Sequence, residues 1–148
     1  CELVKRIAIF LLAFALFSCD SVNTKRVIST DKAPKAIGPY SQAIQVNNTL
    51  YLAGQIALDP LTGKMVEDKI DIQTHRVMTN LEAVLSEAGF SFDDVVQTQV
   101  FLSDLNHYKP MNEIYAEYFS NKPPARAVVQ AVLPRDALVE IMMVAQKP

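Results

Sequence analysis

The sequence predicts an α+β domain: a single mixed sheet with two helices on one face, in the order ββαβαββ. Three observations predict it. Two segments carry apolar residues at helical spacing. Five short runs are rich in β-branched and aromatic residues and are bounded by turn signals. The last of these runs is apolar on both faces, so it must be covered on both. A chain of 148 residues, 50% hydrophobic and 20% charged, suits one globular domain.

The elements follow in order. Runs 42–46 and 49–54 flank Asn47-Asn48, and Asn tolerates positive φ, so they read as a hairpin. Asp59-Pro-Leu-Thr-Gly63 is a turn sequence. Val77, Leu81, Val84, Leu85 and Ala88 then line one face of a helix, with Asp71 as expected N-cap and Gly89 just past its end. Val95–Leu102 is a strand rich in Val, Thr and Phe. Pro110 suits the first turn of a second helix, whose face is Met111, Ile114, Tyr115, Tyr118 and Phe119. The prolines at 123 and 124 end it. Runs 126–132 and 137–145 close the chain as a last hairpin joined at Pro134-Arg-Asp136.

The final run places Val139, Ile141 and Met143 on one face and Leu138, Glu140, Met142 and Val144 on the other. Two helices cover only one sheet face. The other face is therefore expected to meet further subunits.

Residues 1–19 read as a leader. Lys5 and Arg6 precede an unbroken apolar run over 7–17, too short to span a bilayer, which takes about 20 residues. Leu16-Phe-Ser-Cys19 then resembles a bacterial lipobox, which implies cleavage before Cys19 and lipid attachment to it. The alternative is a short hydrophobic helix packed on the domain. It fits less well, because positive charge, apolar run and small residue before Cys is a processing order. Residues 20–32 are polar. We assign 20–26 as linker and 27–148 as the domain. An exported, membrane-anchored lipoprotein is expected on the periplasmic or outer-membrane side, touching the membrane only through its lipidated terminus. A cytoplasmic location is the alternative if the leader is unused.

Composition excludes several chemistries. Both cysteines, Cys1 and Cys19, lie in the leader, so the domain has no disulfide framework, thiolate zinc site or cysteine nucleophile. Gly38, Gly54, Gly63 and Gly89 are the only glycines, and no dinucleotide or phosphate loop is built from them. The two histidines, His75 and His107, read as solvated surface residues, and no metal is expected. A net charge of -2 disfavours nucleic acid as a partner.

Glu140 is the strongest positive signal. A carboxylate on an apolar strand needs a partner, or desolvation raises its pKa. Arg126, opening the preceding strand, is the natural candidate partner. An Arg that binds a planar anion beside a poised carboxylate is the functional reading. A structural buried ion pair is the alternative. Tyr40 follows a rigid Gly-Pro pair, Gly54 permits close approach at a strand end, and Asn112 lies on the second helix.

These residues together resemble the YjgF/RidA family of imine and enamine deaminases. The matching stretches are Ala36-Ile-Gly-Pro-Tyr-Ser-Gln42, Tyr51-Leu-Ala-Gly-Gln-Ile56, Asn80-Leu-Glu, Val100-Phe-Leu-Ser-Asp-Leu-Asn106, Asn112-Glu-Ile-Tyr-Ala-Glu-Tyr-Phe119, Pro124-Ala-Arg-Ala127 and Val139-Glu-Ile141, across residues 27–147. The resemblance implies a chorismate-mutase-like fold and a homotrimer with active sites between subunits. It implies hydrolysis of 2-imino acids such as 2-iminobutanoate and 2-iminopropanoate to 2-keto acids and ammonia, with no metal or cofactor. Arg126 would clamp the substrate carboxylate and Glu140 would position or activate water. Tyr40 would line the pocket, as would Asn112, and the backbone at Gly54 would orient the bound acid. Three departures stand out. Ala53 replaces a frequent Ser, Val128 replaces a frequent Cys, and the stretch from Arg126 to Pro134 is one residue shorter. A one-residue shift flips side-chain facing unless a bulge absorbs it. A non-catalytic trimer binding small carboxylates or a protein is the alternative.

Overall fold

A computed structural model describes residues 24–119 and 121–148. The leader and its Cys19 lie outside the described residues. The strands are β1 (Lys25–Ile28), β2 (Ala43–Val46), β3 (Thr49–Gln55), β4 (Val95–Leu102), β5 (Ala125–Gln130) and β6 (Val139–Gln146). The helices are α1 (Ile70–Glu87) and α2 (Tyr108–Tyr118). They form one mixed six-stranded sheet, ordered β1-β2-β3-β6-β4-β5.

The α+β class, the mixed sheet and both helices stand as expected. One strand is additional. β1 takes the last two residues of the assigned linker, Lys25 and Arg26, and pairs antiparallel with β2. Its polar outward residues hid it: only Ile28 is buried, and Arg26 reaches across to Gln45 at 2.9 Å. The N-cap also differs. Lys69 occupies that position in extended backbone, and Asp71 sits inside the first turn. There its charge still favours the positive end of the helix dipole.

The closing strands are not hairpin partners. β6 inserts between β3 and β4, antiparallel to both, while β5 runs parallel to β4 on the outer edge. Parallel neighbours need a crossover, and α2 supplies it.

The core lies between the helices and one sheet face. Leu50, Leu52, Val100, Leu102, Val139, Ile141, Met143 and Ala145 meet Val77, Met78, Leu81, Val84 and Leu85 of α1, all essentially without solvent. α2 adds Met111 and Tyr115. The opposite face has no helix. Val144 stands across from Tyr51, which stands across from Ile44, and Tyr51 is half exposed. Its apolar residues have no helix over them, and β6 is apolar on this side too.

Candidate functional site

Each buried face of β6 has a different fate, and this builds the site. The odd residues enter the core. Glu140, on the other face, turns its carboxyl over the end of β3. It lies so close to Gly54 that a Cβ there would come within 3.0 Å of the carboxyl carbon. A register shift in β3 between Leu52 and Gln55 brings Gly54 to this position. Half-burial pushes the Glu140 pKa up, and desolvation is the cause. Among the described residues no cation pairs with it.

Glu140 floors a cleft of about 370 Å³ whose walls include Tyr40, Ala53, Gly54, Gln55, Pro34 and Arg135. Tyr40 is held by its own turn. Its backbone N–H donates to Gly38 O at 2.8 Å, and its hydroxyl accepts from the Ile37 N–H at 3.3 Å.

Buried amides brace the cleft. Gln42 is 3% exposed; its Nε2 donates to the carbonyls of Thr30, Ala33 and Pro34, and its Oε1 accepts from Thr30 N–H. That clamps the loop bearing Pro34 and Lys35 onto β2. Asn80 on α1 donates to Leu58 O at 2.9 Å and more weakly to Ile56 O. Gln73 on α1 accepts from the Leu138 N–H at 2.9 Å, fixing the start of β6. The amide donors and acceptors of Gln42 and Gln73, and the Nδ2 of Asn80, specify loop paths that apolar packing leaves loose, while the buried Oδ1 of Asn80 has no partner among the described residues.

Arg126 is elsewhere. It stands across from Thr98, a helix-facing residue of β4, whereas Glu140 stands across from Phe101 on the outer face. The two therefore project to opposite sides of the sheet. The expected pairing of Arg126 with Glu140 is corrected here for a single subunit. The guanidinium lies on an aromatic shelf, 4.6 Å from the Tyr115 ring centre, and donates to the Tyr108 hydroxyl at 3.3 Å. Burial pushes the Tyr115 hydroxyl pKa up, and that hydroxyl is 2.8 Å from Thr98 Oγ1. Asn112, Tyr115, Pro124 and Arg126 line one recess of about 430 Å³.

The candidate residues thus fall into two half-sites. Tyr40, Ala53, Gly54 and Glu140 share one; Arg126 and Asn112 share the other. Val128, two residues past Arg126, packs against the core on the helix side. Tyr108, Tyr115 and Arg135 escaped the reading from sequence. Tyr115 lay on the apolar helix face, which gave no signal of a cation above it, and Tyr108 lay in the stretch read as a loop before that helix. His75 keeps 44% of its side chain exposed, as expected, and its Nδ1 also lies 2.9 Å from the Tyr118 hydroxyl, joining α1 to α2.

Residues 30–147 match the family model described as endoribonuclease L-PSP. The chain is 52% identical over 124 residues to a RutC family protein of Saccharolobus solfataricus, covering 83% of this chain and 98% of that protein. It is 48% identical over 122 residues to the 2-iminobutanoate/2-iminopropanoate deaminase of Mus musculus, covering 82% and 90%. A crystal structure from the conserved Rid protein family of Yersinia pestis superposes with a TM-score of 0.81 at 47% identity, covering 84% of this chain and all of that one.

These relatives overturn the expected export and lipid anchoring. The matched domain fills 98% of the archaeal protein and 90% of the mouse enzyme, which leaves neither with length for a nineteen-residue leader ending in a lipidated cysteine. The matched domain occurs in these proteins without one.

Proposed function

Because the chain belongs to the endoribonuclease L-PSP family, of RidA type, we propose that it is a hydrolytic deaminase of 2-imino acids working in sites between subunits. The observation that carries this reading is the unpaired carboxyl of Glu140 over Gly54. A carboxyl whose pKa burial raises is a better proton acceptor than an ordinary one, and is suited to take and return a proton. Arg126 is not among the residues that line this cleft, and it projects from the other side of the sheet. A homotrimer resolves both facts if the exposed apolar face of one subunit meets the edge of the next, so that Arg126 of one subunit completes the cleft of another.

In such a site Arg126 binds the α-carboxylate of the substrate through parallel N–H bonds, its plane already set by Tyr115 and Tyr108. Glu140 takes a proton from water as the oxygen attacks the imine carbon. The carbon–nitrogen double bond becomes single, and Glu140 returns the proton to nitrogen. Glu140 then carries the proton of the new hydroxyl to the amino nitrogen, the carbon–nitrogen bond breaks, and ammonia leaves as the carbonyl forms. Water and imine give keto acid and ammonia, with no change in oxidation state. Orientation and one proton shuttle suffice.

The second reading is a trimer that binds small carboxylates without turning them over. Ala53 favours it, because that wall of the cleft offers no hydroxyl for proton relay. One experiment separates the two. An amino-acid oxidase or dehydratase generates the imine in situ, and keto-acid and ammonia release are followed. The deaminase reading expects acceleration over buffer that Arg126→Ala abolishes. Binding of pyruvate without acceleration selects the second.

A further inference from the structure

We infer that Arg135 is a second anion receptor in the Glu140 cleft, and that the preferred substrates are 2-imino acids carrying a second carboxylate. The inference rests on the deaminase reading for its chemistry, but its own evidence is separate. Arg135 lines the same cleft as Glu140 and Tyr40. It sits at φ 55 and the next residue, Asp136, at φ 56. Left-handed backbone is unfavourable for a residue with a side chain, so a turn that holds two such residues is over-determined by its surroundings. Those surroundings are on view: Leu133 is buried, Ala137 N–H donates to Pro134 O at 3.2 Å, and Gln73 holds Leu138. The strain aims the side chain of Arg135 across the mouth of the cleft, where Nη1 donates to Gly63 O at 3.3 Å.

That single bond leaves most of the guanidinium donors unused. Among the described residues no carboxylate pairs with Arg135, whereas Lys35, the other cation on this cleft, lies 3.4 Å from Asp31. Glu140 is the only carboxylate among the lining residues. The α-carboxylate is already assigned to Arg126 of another subunit. A planar cation on the wall of the same cleft, with donors to spare, matches a second carboxylate on the substrate. The imines of aspartate- and glutamate-type amino acids have that shape. Their hydrolysis is the same balanced step: water adds, ammonia leaves and a 2-keto diacid remains.

The test uses the keto-acid products, which are stable. The full chain is titrated calorimetrically with 2-oxoglutarate and with 2-oxobutanoate at constant ionic strength. Wild type is expected to favour the diacid, and Arg135→Gly is expected to shrink that preference by about tenfold or more, the size of a charge-assisted hydrogen bond. Glycine suits the left-handed position, so it deletes the guanidinium without adding strain. Arg135→Lys should keep part of the preference. Equal binding of both acids by wild type, binding of neither, or an Arg135→Gly protein that weakens both alike overturns the inference. The last outcome would make Arg135 a brace for the 59–63 turn. Turnover of imines is read separately: preference without turnover removes the deaminase reading alone, and turnover without preference removes this inference alone.

Discussion

Gly54 lies directly beneath the carboxyl of Glu140, which leaves no room for a side chain between β3 and β6 at that point. The close approach explains why glycine is required here although its φ is ordinary. Gly54→Ala must displace Glu140, and a catalytic group moved by about 1 Å can cost on the order of 100-fold. We expect kcat/KM for imine hydrolysis to fall by about 10- to 100-fold while the fold persists by circular dichroism. A Gly54→Ala protein with the wild-type rate would show that Glu140 does not act from this position.

Glu140 predicts two pH dependences. Its folded pKa is raised above the ordinary 4.5 by burial. If it acts as the base, the wild-type kcat/KM measured across pH climbs as pH rises through that raised value. For stability the sign is opposite. The folded state holds the proton over a range where the unfolded state has lost it, so stability falls as pH rises through that window. Melting temperatures of wild type and Glu140→Gln, measured across pH, should diverge to the disadvantage of wild type above the ordinary carboxylate value. Parallel curves would mean that Glu140 has found a cationic partner in the assembly.

Arg126 and Glu140 face opposite sides of one sheet, so sites built between subunits should show complementation. Arg126→Ala and Glu140→Gln trimers are each expected to be inactive. Mixed at random in equal amounts by co-refolding, about a quarter of the sites pair an intact Arg with an intact Glu. Recovered activity near that fraction supports shared sites. A mixture as inactive as its parents counts against them.

The bare apolar face predicts the assembly. Val144→Lys puts a charge beside Tyr51, in the middle of that face. Light scattering after gel filtration should show dissociation to monomers and loss of imine hydrolysis together. An intact oligomer would place the interface elsewhere.

Gln42 is buried and makes four hydrogen bonds to the 30–34 loop. Gln42→Ala strands buried carbonyls and a buried N–H, each worth about 1–3 kcal/mol when left without a partner. We expect a loss of about 3 kcal/mol or more in urea unfolding, with 2-oxobutanoate binding weakened because Pro34 and Lys35 line the cleft.

Much of this was legible from local pattern. The apolar spacing of residues 77–88 and 111–119 located both helices, because a helix buries one stripe and the period reports it. The alternation in β6 showed two apolar faces and one misplaced carboxylate. Glycine beside a strand end marked the close approach at Gly54. β1 was missed because an edge strand with one buried residue leaves no alternation to find.

The sequence by itself determined the element types, an apolar outer sheet face and Glu140 as the anomalous charge, all consequences of periodicity and of the cost of burying an ion. Only the tertiary structure decided that β6 inserts between β3 and β4, that Arg126 and Glu140 part to opposite faces, and that Arg135 shares the cleft. Those depend on which strand hydrogen-bonds to which, over separations of tens of residues. Local pattern states what each face must avoid, which is water or a dry environment. It does not state which neighbour will provide the cover.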